Sequence, residues 1–101
     1  MELGNTTAAI YSSRAASQYS AKAYDAALKD YNKAIELGVN NYKTFRYRGL
    51  TKRYLNDYEG AIKDYSAAIE RKADFDYAYS NRSEAKFLAK DYEGAIADAT
   101  K

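Results

Sequence analysis

The chain is 101 residues long, 47% hydrophobic and 30% charged, with a formal net charge of +2. Cysteine, histidine and tryptophan are all absent, which excludes disulfides, zinc fingers, thiol nucleophiles and histidine-based acid–base catalysis. The near balance of charge gives no electrostatic case for a nucleic acid or a membrane surface, and no apolar run approaches the roughly 18 residues of a membrane span.

In chain order, the opening segment MELGNTTAAIYSS carries an acid and lacks a long apolar stretch, so it is not a secretory signal. Absence of cysteine fits a reducing or an oxidising compartment, and the location stays open, leaning to the cytoplasm. Helices are predicted over residues 8–21, 24–37, 42–55, 58–71, 76–89 and 92–101. In the second of these, Tyr24, Ala27, Leu28, Tyr31, Ala34 and Ile35 share one face at the i, i+3, i+4, i+7 spacing, and Lys29, Asp30, Asn32 and Lys33 take the other. Tyr58, Ala61, Ile62, Tyr65, Ala68 and Ile69 repeat that face in the fourth. Gly38 is the expected stop of the second helix, and Asp57 and Asp91 stand where N-cap carboxylates belong. Between the fourth and fifth helices, ERKADFDYAY contains neither glycine nor proline. Asp74 or Asp76 is expected to cap the fifth helix; without a cap the two helices would fuse and invite exchange between chains.

The helices recur in pairs with a period of 34 residues. Tyr24, Tyr58 and Tyr92 are in step, as are Ala27, Ala61 and Ala95, and Tyr11, Phe45 and Tyr79. Such a period marks stacked units that bury their apolar faces against one another. Small residues at Ala15, Gly49 and Ser83 oppose the alanines and let the paired helices approach, with the aromatics beside them filling space. Tyrosine in place of phenylalanine predicts that many hydroxyls reach solvent or a neighbour. Arg14, Arg48 and Arg82 precede Asp30, Asp64 and Asp98 by 16 residues, a spacing that reads as a repeated interhelix salt bridge and otherwise as a ladder of ligand-binding arginines.

This pattern resembles the tetratricopeptide repeat family. The resemblance runs through Tyr11, Ala15, Tyr24, Ala27, Tyr31 and Ala34 in the first unit, and through Phe45, Gly49, Tyr58, Ala61, Tyr65 and Ala68 in the second. The third carries Tyr79, Ser83, Tyr92, Ala95 and Ala99. The proline that closes a unit in the family is missing, with Val39 and Ala73 in its place. The resemblance implies an all-α fold, an α-solenoid of antiparallel helix pairs wound into a right-handed superhelix. The expected layout is one domain over 1–101, with units at 8–41, 42–75 and 76–101, the last truncated. Glu2-Leu3-Gly4 is in phase with Glu36-Leu37-Gly38, so residues 1–7 read as the tail of a preceding unit and the chain as part of a longer array. Apolar surface on the final helices is expected to be exposed and to promote self-association.

In this family the concave face, lined by the first helix of each pair, binds. Its candidates here are Tyr19 in unit one, Lys43, Arg46, Leu50 and Arg53 in unit two, and Tyr77, Glu84 and Phe87 in unit three. Tyr47, Tyr54 and Asn81 flank them. A basic middle with aromatic sides suits an extended peptide with acidic side chains or a free carboxylate. One subtype of the family holds chaperone C-termini through lysines, asparagines and an arginine, but Ser12, Ala16, Tyr47, Tyr77 and Asn81 occupy those places here. No catalytic, metal-binding or cofactor-binding constellation is present; the carboxylates at helix starts are explained as caps. The expected role is a protein–protein interaction scaffold. A structural segment that stacks end to end is the second reading, and an RNA-binding helical repeat the weakest.

Overall fold

A computed structural model of the protein describes residues 3–99. Among them there are six helices and no strands: α1 (Leu3–Ser20), α2 (Tyr24–Glu36), α3 (Tyr42–Tyr54), α4 (Tyr58–Arg71), α5 (Asp76–Leu88) and α6 (Tyr92–Ala99). α1 begins at Leu3 and not near residue 8, so part of the stretch expected to be the tail of an earlier unit is continuous with the first helix. No helix among the described residues is long and apolar enough to cross a membrane.

The turns inside the helix pairs are alike in all three copies. Lys22, Asn56 and Lys90 adopt the left-handed conformation, at φ 64°, 66° and 69°. Each turn closes with the same two backbone bonds: Asn56 N–H donates to Arg53 C=O and Asp57 N–H to Lys52 C=O, and their counterparts recur around Lys22 and Lys90. These bonds satisfy the last carbonyls of α1, α3 and α5 in the manner of a glycine C-cap, without a glycine. Gly38, at φ +111°, closes α2 similarly.

Capping follows the sequence in part. Asp57 accepts a bond from Gly60 N–H and Asp91 from Gly94 N–H, as expected. Ala23 holds the same place before α2 and makes no side-chain cap. Neither Asp74 nor Asp76 caps α5: Phe75 is its N-cap residue, again without a side-chain bond. The helices nevertheless do not fuse. Lys72 turns extended at φ −149°, and Phe75 inserts between units, its ring edge-on to Tyr42 at 4.8 Å.

Each helix packs on the next along the chain. α1 also meets α3, and α3 meets α5, whereas among the described residues α2, α4 and α6 do not meet one another. The odd helices therefore form the inner layer of a curved stack, measuring 45 × 26 × 18 Å over all. Tyr31 and Tyr65 fill its core, at 2% and 0% exposure, against alanines at 15, 27, 61 and 85. Gly49 marks a close crossing, since a Cβ there would lie 2.6 Å from the Tyr65 ring. Phe45 is buried, while Tyr11 and Tyr79 are half-buried beneath the Arg14 and Arg82 guanidiniums. As expected, apolar side chains lie bare at the last unit, Ile96 at 65% and Tyr92 at 55% exposure.

Candidate peptide-binding groove

The arginine and aspartate ladder fixes which cations are free. Arg14, Arg48 and Arg82 each grip their aspartate with two hydrogen bonds of 2.6–2.9 Å, joining the two helices of a pair. The carboxylates are buried, and Arg48 and Arg82 are largely covered with them, so those two pairs are not the exposed kind that contributes little. Arg14 is 56% exposed, and its pair is the weakest of the three. Lys52 and Lys86 add a second cation to Asp64 and Asp98, each at 3.1 Å. The ladder also crosses between units, as Arg48 reaches Asn32 and Arg82 reaches Ser66. Its arginines are thus each committed to an aspartate of the neighbouring helix. The Arg14 hydrogen bond holds the Asp30 carboxyl below the usual range. Burial pushes Asp98 up, but the bonds from Arg82 and Lys86 outweigh it and hold that carboxyl low as well.

On the inner layer, α3 carries the groove's charge, and the structure divides it in two. Arg53 pairs with Glu84 across α3 and α5 at 2.9 Å, which cancels the charge of that half. Arg46 donates to Asn81 Oδ1 at 2.7 Å and lies 5.0–5.8 Å from the ring centres of Tyr47, Phe75 and Tyr77. These contacts orient its guanidinium without neutralising it. Lys43 is exposed and has no ion pair among the described residues. The positive charge expected along the whole middle of the groove is therefore confined to the N-terminal half of α3.

The other half is aromatic. Tyr19 stands edge-on to Tyr24, Tyr47 and Tyr54 at 5.8, 5.9 and 6.0 Å, and Tyr24 stacks on Tyr54 at 4.7 Å. Burial, and then the neighbouring Tyr54 and Tyr24, push the Tyr19 phenol up to about 12. Phe87 rests on Tyr92 yet remains 52% exposed, and Tyr77 is 66% exposed. Leu50 departs from expectation: it is half-buried and packs against the Ala61, Tyr65 and Ala85 cluster instead of standing free in the groove.

The sequence reading missed Tyr24 and Phe75, which complete the two aromatic groups. The helical period places Tyr24 on the core stripe of α2, although it follows Tyr19 across a short turn, and that proximity is its signal. Phase offered no signal for Phe75, because the equivalent position before α3 holds Asn41. Tyr31 is buried as expected, but its hydroxyl has no hydrogen-bond partner among the described residues, and the same holds for Tyr65. Burial pushes the Tyr31 phenol up to about 12 and raises that of Tyr65 too, so both keep their protons at neutral pH. Tyr31 forms part of the wall of an open recess of about 290 Å³ between α1 and α3, together with Ser12, Ala16, Lys43 and Tyr47.

Helix pairs related by a 34-residue repeat, with their first helices lining an inner face, constitute the tetratricopeptide-repeat fold, and the chain has that fold. Solved structures agree. It superposes on the first TPR of Spaghetti (RPAP3) bound to the HSP90 peptide SRMEEVD, with a TM-score of 0.85 and 22% identity over 93% of this chain and 75% of that one. The Arabidopsis OM64 TPR domain gives a TM-score of 0.88 at 22% identity, covering 94% of this chain and 78% of that one. The second TPR domain of human RPAP3, in complex with the HSP70 peptide SGPTIEEVD, gives 0.86 at 21% identity over 94% and 79%. No family model matches the chain, and no curated protein matches it.

Proposed function

We propose that the protein is a non-catalytic interaction module that holds an extended acidic peptide along α1, α3 and α5. The observation that carries this reading is the division of the groove. Uncompensated positive charge at Lys43 and Arg46 lies beside exposed or half-exposed aromatic rings from Tyr19 to Tyr54. Aromatic and arginine side chains are the groups that most often dominate peptide affinity. Two structural neighbours are described with bound peptides ending in EEVD, which supports an acidic ligand class. The chaperone-tail subtype itself is not the reading, since Ser12, Ala16, Tyr47, Tyr77 and Asn81 stand where its lysines, asparagines and arginine belong.

The test is a peptide-display selection on the purified protein beside a Lys43→Glu/Arg46→Glu variant of equal helicity. Enrichment of acid-containing peptides by the original, lost in the variant, is the expected result. Failure to enrich any peptide with either protein would sink the groove as a binding site. Arg53 is left unaltered because Arg53→Glu would set two carboxylates against each other at the seam with Glu84.

A further inference from the structure

We infer that the two ends of the stack recognise each other, so that copies of this chain associate head to tail, with the outer face of α6 in one copy docked on the outer face of α1 in the next. These end faces are separate from the groove, and the inference does not rest on the peptide reading.

The seams inside the chain show what a covered end looks like. At each seam the second helix of one unit lies against the first helix of the next, α2 on α3 and α4 on α5. Ala85 of α5 packs with Ala61 and Tyr65 of α4, and Ala78 with Ala68, both at 0% exposure. Thr51 and Thr44 hold the same phase in α3 and are buried likewise, at 0% and 5%. From the other side of the seam, Ile62 is half-buried against the Tyr65 and Ala85 cluster. A guanidinium crosses each seam: Arg48 donates to Asn32 Oδ1 and Arg82 to Ser66 Oγ, both at 3.1 Å.

The head of the stack carries the same face uncovered. One period before Thr44 and Thr51 stand Ile10 and Ser17; Ile10 is 59% exposed, and Ser17 is exposed as well. Arg14 grips Asp30 as its counterparts grip their aspartates, yet its side chain is 56% exposed against 17% for Arg48 and 19% for Arg82. Its bond across a seam is missing among the described residues. The tail carries the opposite face, also uncovered. Ile96, the counterpart of Ile62, is 65% exposed, and Tyr92 rests on Phe87 with more than half of each side chain bare. Stacked repeats ordinarily present a polar surface at such an end, and an apolar patch there marks an interaction site.

A second copy is the occupant that these faces fit. Its head is built as α3 and α5 are, so docking would repeat a contact that each chain already makes twice. The charges also suit each other. Arg14 is the one charged residue of α1, whereas α6 carries Glu93 and Asp98 and no cation. Asp98 is paired within its unit, and Glu93 is exposed. Because head and tail differ, the contact is heterologous, and it extends into an open array instead of stopping at a dimer.

The test is sedimentation velocity on the whole protein over a concentration series, beside two variants. Ser17→Arg blocks the head, because its counterparts Thr51 and Ala85 have no exposure and leave no room for a long side chain. Ile96→Arg blocks the tail by setting a cation against the end that bears Arg14. Both positions are exposed, so each variant should keep the helicity and melting temperature of the original. The mass of the original is expected to climb with concentration beyond that of a dimer, while each variant alone stays a single chain. An equimolar mixture of the two variants should form pairs and nothing larger, since it holds one intact tail and one intact head per pair. An original that remains a single chain at every concentration overturns the inference. So does a Ser17→Arg variant that associates as the original does, which would set tail on tail, and so does a mixture that fails to pair.

Discussion

Gly49 shows how one missing methyl sets the approach of two helices. In the middle of α3, glycine costs about 0.5–1 kcal/mol relative to alanine through backbone entropy alone. The structure shows what offsets that cost, because a Cβ would meet Tyr65 Cε1 at 2.6 Å and Asp64 Cβ at 3.2 Å. Tyr65 is fully buried and cannot swing aside. Gly49→Ala should therefore destabilise the protein despite its better helix propensity, by about 1–3 kcal/mol as overpacking does. Urea unfolding would check this, and a variant as stable as the original would show that the helices part without penalty. The sequence made this small residue legible through its phase with Ala15 and Ser83. It did not foretell that Ser83 spends its hydroxyl on the Ala95 carbonyl at 2.7 Å.

Among the elements, α4 and α6 start in one way and α2 in another. Ala23 and Asp57 have nearly the same backbone, φ −88°, ψ 70° and φ −92°, ψ 75°, yet only the aspartate caps. The difference reaches three residues further, to Ala26 where the other units have Gly60 and Gly94. A Cβ at Gly60 would collide with the Asp57 carboxylate in its capping position. Cap and glycine are thus one device. Gly60→Ala in the native background should bring none of the usual gain of up to about 1 kcal/mol, whereas in an Asp57→Ala background it should bring that gain. A double-mutant cycle measured by thermal unfolding decides it, and equal effects in both backgrounds would separate the two residues. The helices were legible because their 3.6-residue pattern is repeated. Their ends were less so, because Lys22, Asn56 and Lys90 take a conformation usually signalled by glycine, and Phe75 separates units by packing where a polar cap was expected.

For the molecule as a whole, the buried ladder makes stability depend on acid. Asp30 and Asp98 are held below the ordinary carboxylate range in the folded chain. Their contribution is complete above the unfolded-state value of about 4, and is lost as pH falls from there through the lower native values. The urea midpoint should fall between about pH 5 and about pH 2, and fall less steeply in an Asp30→Asn/Asp98→Asn variant. An unchanged slope in that variant would show that other carboxylates govern acid unfolding. At this scale the stack could be read from the period, and its inner face from the resemblance to the tetratricopeptide repeat family. The character of that face could not, because pairing of Arg53 with Glu84 and the inward turn of Leu50 depend on distances between units that phase does not specify.

The cluster of Tyr19, Tyr24, Tyr47 and Tyr54 has an optical consequence. With twelve tyrosines and no tryptophan, the protein's ultraviolet emission comes from phenol rings alone. Four of those rings sit on or beside the groove with neighbouring centres 4.7–6.0 Å apart, close enough for excitation to pass between them. A guest that parts or covers this group alters brightness and polarisation together, so occupancy of the groove can be followed by fluorescence without any attached dye.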